Sequence, residues 1–335
     1  MEVRTVGIDL KTTIYQRGLL TLSADPFTWG HYDILLKAAA GCQELIVAVL
    51  ENPDKPQTVF SLEDRVEHVQ RILHDFYIEK PPEKLSTVKV ISVKGMVLPT
   101  DLYLEHECDV LFRGIRDQAD QEYENTQASI HRMICPGVNI EMIWGDSKFK
   151  DVQSTTVRSL VANYVPVAPD FVPMYIQARM IRKVCKQKRL GVCGYHPAPI
   201  VAAVSKQLQE RGFLVHEIDL AELYGEVPYG VPCANPGFGL HPRFRAHMSR
   251  LLREKLSGLP GVILIRSPEL IVNEWLSWVC NNVVVDLTEN PENFQTAQEV
   301  AKKDGFGSVI PLRQGDDLEE LGKTVVGLVQ ERGAI

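Results

Sequence analysis

Residues Ser23-Ala24-Asp25-Pro26-Phe27-Thr28-Trp29-Gly30-His31 lie between an apolar run, Gly18–Ser23, and an amphipathic segment, His31–Ala40. A strand that passes directly into a helix start is an address for anions. Ligands gather at the carboxyl ends of parallel strands, and the free backbone N–H groups of a helix N-terminus attract phosphate. A glycine before a histidine lets the chain approach a phosphate closely while the His31 imidazole reaches it; the plainer alternative is a surface imidazole that merely opens the helix. Two further segments point the same way. Arg113-Gly114-Ile115-Arg116, followed by Asp120 and Glu122-Tyr123-Glu124, begins where a fourth apolar run ends, which places both guanidinium forks to meet phosphate oxygens in one crevice. Val152-Gln153-Ser154-Thr155-Thr156-Val157-Arg158 follows a fifth run and opens another helix, supplying hydroxyls and a second helix N-terminus. Singly, the arginines read as a surface ion-pair network and Ser154 as an ordinary cap. Together the three segments favour a shared phosphate crevice.

The elements that must position these residues follow from the hydrophobic pattern. Short apolar runs alternate with helix-length amphipathic segments, the pattern of an α/β protein built on a parallel sheet. Expected strands are Gly18–Ser23, Glu44–Leu50, Val88–Val93, Asp109–Phe112 and Val138–Ile143, several almost wholly apolar, as strands covered on both faces must be. Between them, His31–Ala40 and Ser61–Phe76 read as helices, the second carrying Leu62, Val66, Val69, Ile72, Leu73 and Phe76 on one stripe. Ser61 is its expected cap, with Glu63 and Asp64 in the first turn complementing the helix dipole.

A basic stretch, Arg179–Arg189, contrasts with the acidic whole and reads as a linker, either a solvated helix face or a phosphate or partner contact. From Leu190 the alternation restarts, with strands at 190–195, 213–218, 262–265 and 283–287, a helix over Ile200–Arg211, a proline- and glycine-rich loop from Tyr224 to Pro242, and a terminal helix from about Leu318. The expected division is therefore an N-terminal extension over 1–17, a first domain over 18–180, a linker over 181–189 and a second α/β domain over 190–335.

Composition narrows the function class. The 335 residues carry 36 Lys+Arg against 43 Asp+Glu, a net charge of −7, which argues against a general nucleic-acid-binding surface. No run approaches the roughly 18 apolar residues a bilayer span needs, and the start, MEVRTVGIDLK, has no signal-peptide apolar region. A cytoplasmic protein without membrane or nucleic-acid partners is expected. Seven cysteines are scattered with no C-x-x-C pair, which predicts buried free thiols and no protein-held metal.

From about Arg17 to Arg179 the chain resembles the phosphopantetheine adenylyltransferase family, whose patterns G-[ST]-F-D-P-x-T-x-G-H, R-G-x-R-x-x-x-D-x-x-Y-E and I-S-S-[ST] appear here as LSADPFTWGH, RGIRDQADQEYE and VQSTTVR. The middle pattern is complete. Departures are Leu22 for the usual glycine, Ala24 for an aromatic residue and Gln153 for the first serine of the last pattern. The resemblance implies a Rossmann-like nucleotidyltransferase that joins ATP to 4′-phosphopantetheine, with Mg²⁺ accompanying ATP and a possible homo-oligomer. It implies that His31, Lys55 and Arg116 are catalytic, and that Ser23, Lys55, Val97 and Arg113 bind the acceptor. For ATP it implies Ser23, Ala24, His31, Gly114, Ile115, Arg116, Glu124 and the segment Phe149, Lys150, Asp151, Val152, Gln153, Ser154 and Thr155.

Residues 190–335 are similar to the dephospho-coenzyme A kinase family, a P-loop-kinase-like fold, in the order of Leu190–Tyr195, Arg211–Asp219, His241-Pro242, Pro268 and Val283–Val285. The phosphate loop itself departs. It reads Gly191-Val192-Cys193-Gly194-Tyr195-His196-Pro197-Ala198-Pro199-Ile200-Val201, where two prolines remove N–H donors and Ile200 and Val201 stand in place of the lysine and hydroxyl residue such a loop needs. A degenerate kinase domain is expected, with Asp219 left at the position of the family's aspartate. Alternatives are a bifunctional enzyme and a non-catalytic coenzyme A-binding protein.

Overall fold

The computed structural model describes residues 15–51, 58–78, 87–165, 167, 170–194, 197–226, 234–235, 239–240, 242–267, 280, 282–288 and 308–330. Lys55, Tyr195, His196, His241 and Pro268 lie outside them.

Strands and helices alternate from the start: β1 (Tyr15–Leu22), α1 (Trp29–Gly41), β2 (Cys42–Leu50), α2 (Leu62–Ile72), β3 (Thr87–Val93), α3 (Pro99–Glu105), β4 (Val110–Ile115), α4 (Gln118–Ile134), β5 (Ile140–Trp144) and α5 (Ser154–Ala162). The five strands form one parallel sheet in the order β3-β2-β1-β4-β5. Both faces of β2 are buried: Leu45, Val47 and Val49 alternate with Ile46 and Ala48. That is why the run is apolar without alternation. Ser61 caps α2 as expected, with Asp64 returning the hydrogen bond, and a π-helical turn over Leu73–Ile78 continues the helix.

The second sheet is also parallel and five-stranded, in the order β12-β11-β6-β10-β7. Its elements are α6 (Met174–Met180), β6 (Gln187–Cys193), α7 (Pro197–Glu210), β7 (Val215–Asp219), α8 (Leu220–Gly225), a two-residue antiparallel pair β8 (Ala234–Asn235) and β9 (Gly239–Leu240), α9 (Pro242–Leu256), β10 (Gly261–Ser267), β11 (Asn282–Asp286), β12 (Ser308–Leu312) and α10 (Leu318–Gln330). Alternate residues again feed two cores. Val262, Leu264 and Val284 pack with α7 and α10, whereas Ile263, Ile265, Val283 and Val285 pack with α8 and α9.

The chain divides into two compact units between Val157 and Arg158, inside α5. The stretch expected as a linker, Arg179–Arg189, forms the end of α6, a π-helical turn over Ile181–Cys185 and the start of β6. Arg189 is buried in that strand, with Nε and Nη2 donating to Gln187 Oε1 at 3.0 and 2.8 Å, so its charge serves the core. At the other end, β1 begins at Tyr15, within the expected extension; Tyr15 donates to Glu141 and Arg17 pairs with Glu44. Among the described cysteines none is disulfide-bonded, and Cys42, Cys108, Cys185, Cys193 and Cys280 are buried. No helix among the described residues is long and apolar enough to cross a membrane.

Candidate functional site

In the first sheet the strand order reverses between β1 and β4, which opens a crevice at their carboxyl ends. The Ser23–Thr28 loop leaves β1 there and enters α1. Thr28 is the N-cap, fully buried, and its hydroxyl accepts the His31 N–H at 3.4 Å. The bond is reciprocated: His31 Nδ1 accepts the Thr28 N–H at 3.0 Å. An amide N–H can only donate, so the neutral imidazole carries its proton on Nε2. Phe27, also fully buried, stacks on the ring at 5.5 Å between centroids. The cap thus fixes both the plane and the tautomer of His31.

The segment after β5 closes over the same helix start. Ser154 Oγ donates to the Pro26 carbonyl at 2.8 Å and Thr28 Oγ1 to the Val152 carbonyl at 3.4 Å. A Cβ on Gly30 would stand 3.1 Å from the Val152 oxygen and 3.7 Å from Phe149 Cβ, so the glycine permits this approach. One turn further, Asp33 accepts the Asp146 N–H at 2.8 Å and pairs with Lys37. Phe149 and Gln153 are half-buried; Lys150, Asp151 and Thr155 are exposed.

Both arginines stand at the end of β4, each held by a carboxylate of α4. Arg113 Nε and Nη2 reach Glu124 at 2.6 and 3.0 Å, while Nη1 donates to Thr21 on β1 at 2.8 Å. Arg116 Nε and Nη2 reach Asp120 at 2.6 and 3.1 Å. The forks are bidentate and preset in direction. Gly114 lets α1 pack on β4, since a Cβ there would lie 3.1 Å from Ile34, and the buried Ile115 offers its carbonyl to the Gly145 N–H at 2.8 Å. Val97 is half-buried beside the cluster of Leu19, Ile46 and Leu111, in the loop before α3.

Ser23 presents its carbonyl to Arg65, and Ala24 is fully buried in the left-handed region at φ 52°. Asp25 and Arg65 are site-supporting residues that the sequence reading missed. The buried Asp25 carboxylate accepts the N–H groups of Val59 and Phe60 at 2.9 and 3.0 Å. Arg65 was signalled by its place on the buried face of α2 with Leu62, Val69 and Ile72. His131, on α4, is buried with Nδ1 unbonded; burial, then the Arg113 charge, pushes its pKa below the usual histidine value.

In the second sheet, β6 passes into Gly194, whose N–H donates to the Ser267 carbonyl at 3.3 Å. Gly194 has φ +145°, and a Cβ there would lie 2.3 Å from Asp286 Cβ. Asp286 is buried, its Oδ1 accepting both the N–H and the hydroxyl of Thr288 at 3.0 and 2.7 Å. Ile200 and Val201 are core residues of α7. Asp219 caps α8 through the Ala221 N–H at 2.9 Å and pairs with Arg266 at 2.5 Å. A cleft of about 240 Å³ at the carboxyl ends of β11 and β12 is lined by Pro199, Asp286, Thr288, Arg313 and Asp316 among others.

A cytidylyltransferase-like family model matches residues 23–184. Phosphopantetheine adenylyltransferase of Clostridium botulinum (strain Hall, type A) is 30% identical over 179 residues, 53% of this chain and 98% of that protein. Its counterpart from Alkaliphilus metalliredigens is 29% identical over 166 residues, 50% of this chain and 98% of that protein. A solved NadR protein in complex with NR aligns over 96% of this chain and 97% of that one at 14% identity, with a TM-score of 0.34, too low to establish a shared fold. The crevice at the β1–β4 switch, with its histidine-capped helix start, lies within the matched residues. The chain is a nucleotidyltransferase of the cytidylyltransferase-like class and belongs, through its N-terminal half, to the phosphopantetheine adenylyltransferase family.

Proposed function

We propose that the crevice transfers the adenylyl group of ATP to 4′-phosphopantetheine, giving dephospho-coenzyme A and pyrophosphate. One observation carries this reading above the others: the Thr28–His31 cap holds the imidazole at the helix start after β1, with Nδ1 accepting the Thr28 N–H and Nε2 left as the ring's donor. A terminal phosphate oxygen of the acceptor attacks the α-phosphorus of ATP in line, a P–O bond forms, and the bond to the bridging oxygen breaks as pyrophosphate departs. The nucleophile is already anionic, so neither a general base nor a covalent enzyme intermediate is needed. Catalysis then rests on positioning and on charge stabilisation.

His31 donates from Nε2 to the α-phosphate oxygen on which charge develops, a term worth about 3 kcal/mol. Arg113 and Arg116 exchange part of their carboxylate contacts for substrate phosphate, and Lys55 is assigned to orient the acceptor phosphate. The 149–155 segment covers the triphosphate, and Val97 borders the pantetheine arm. Magnesium accompanying ATP would be held by the nucleotide rather than by these side chains, and would supply charge neutralisation for the departing pyrophosphate.

We assign no phosphoryl transfer to the second unit. A phosphate cradle needs free N–H groups and a lysine. Here the Gly194 N–H is taken by Ser267, the buried Asp286 carboxylate packs against the turn, and Ile200 lies in the core. Asp219 is committed to capping α8 and to Arg266.

Incubation with ATP, Mg²⁺ and phosphopantetheine, following pyrophosphate and both coenzyme products, tests the reading. Pyrophosphate with dephospho-coenzyme A alone is expected. Onward conversion to coenzyme A contradicts the assignment for the second unit, and absence of both products contradicts the transferase reaction.

A further inference from the structure

Three carbonyls from three elements meet on one buried guanidinium. Arg65, on α2, is 2% exposed. Its Nη1 donates to the Ser23 carbonyl at 2.7 Å and the Leu50 carbonyl at 2.9 Å, and its Nε to the Ser61 carbonyl at 3.4 Å. Ser23 is the first residue beyond β1, Leu50 ends β2 and Ser61 caps α2. The Ser61 carbonyl also accepts the Arg65 backbone N–H at 3.0 Å, but those of Ser23 and Leu50 lie where the sheet ends, and a carbonyl left dry and unbonded there is destabilising. Next to them the Asp25 carboxylate holds the Val59 and Phe60 N–H groups, fastening the approach to α2 onto the Ser23–Thr28 loop.

Burial disfavours the charged form of Arg65, and the Asp25 carboxylate is the largest influence opposing it. An apolar side chain at this place on the stripe would avoid that desolvation. The charge therefore makes sense through what it holds. Ser23 lies on the path from β1 to Thr28 and His31. Moving its carbonyl moves the loop that presents the imidazole.

We propose that Arg65 is a positioning residue for the transfer reaction: it fixes the carbonyl of Ser23 and thereby the orientation of His31, without touching substrate. The inference rests on the adenylyl-transfer reading of the crevice. A lysine's single nitrogen can replace Nη1 at Ser23 and Leu50, whereas methionine fills the space and bonds neither; in both variants the Ser61 carbonyl keeps the backbone N–H of residue 65.

The test combines Arg65→Lys and Arg65→Met with three readouts on the full chain: folded fraction by thermal melt, side-chain ¹⁵N shifts of His31, and kcat and KM for ATP. Displacement of a reacting group by about 1 Å costs up to ~100-fold in rate, so in folded Arg65→Met we expect kcat reduced at least ~30-fold with KM changed less than ~3-fold. His31 resonances shift, and Arg65→Lys recovers part of the rate. If Arg65→Met does not fold, Arg65→Lys decides, with a kcat loss of about 3- to 10-fold at unchanged folded fraction expected. A folded variant with wild-type kcat and unmoved His31 resonances overturns the proposal, as does a rate that falls only in proportion to the unfolded fraction. If the wild type transfers no adenylyl group, the activity reading fails by itself. The His31 shifts of the two variants still decide whether Arg65 positions the imidazole.

Discussion

Thr28 does two jobs at one helix start. Its hydroxyl satisfies the His31 N–H and reaches Val152, while its backbone N–H sets the His31 tautomer. Side-chain ¹⁵N spectra should therefore show Nε2 protonated and Nδ1 as the bare acceptor; the opposite pattern removes the proposed donor. Thr28→Val keeps the shape and the backbone donor but loses the cap. It should lower stability by about 1 kcal/mol in urea unfolding. His131 makes a pH prediction. Its folded pKa lies below 6.5, so as pH falls through about 6.5 the unfolded chain binds a proton that the folded chain refuses, and stability is lost. The loss continues until the folded pKa is reached, at up to ~1.4 kcal/mol per pH unit. Unfolding measured at pH 7.5 and 5.5 should show this decline, and His131→Leu should flatten it.

At the scale of elements, the crevice is built where α1 and the segment before α5 meet at Gly30. Gly30→Ala places a methyl 3.1 Å from the Val152 carbonyl, and that segment must give way. The substitution should raise KM for ATP by about 3- to 10-fold, checked by ATP titration, with little change in melting temperature; an unchanged KM would separate the 149–155 segment from nucleotide binding. Much of this architecture was legible from apolar periodicity. Fully buried strands such as β2 announce themselves, and Ser61 with Asp64 marked the start of α2. Partners across long sequence separations were less readable. The arginine pair was expected to face the crevice, yet each fork is engaged by α4, because Asp120 and Glu124 are one turn apart on the same face. Arg65 shares the buried stripe of α2 and Arg189 sits in a basic run, yet only tertiary packing reveals what either bonds. β12 and α9 carried too mixed a pattern to stand out.

The whole molecule joins two parallel-sheet units, of which the first carries the family match and the second is the one to which no phosphoryl transfer is assigned. With ATP and dephospho-coenzyme A as substrates, no coenzyme A should form. Ile200→Lys, which writes a lysine back into the loop sequence, should not restore phosphorylation. Ile200 is 2% exposed in a packed core, so an unpaired ammonium there should cost about 3 kcal/mol or more by denaturant unfolding. Coenzyme A formation by either protein would return the second unit to catalysis.

The most direct test of the transferase account follows an isotope through the first unit. With ATP labelled at the α-phosphorus and phosphopantetheine as acceptor, the label should appear in dephospho-coenzyme A. His31→Ala, still folded, should slow that appearance by at least ~100-fold. Label that never leaves the adenine nucleotide, or that moves at the same rate in both proteins, would contradict it.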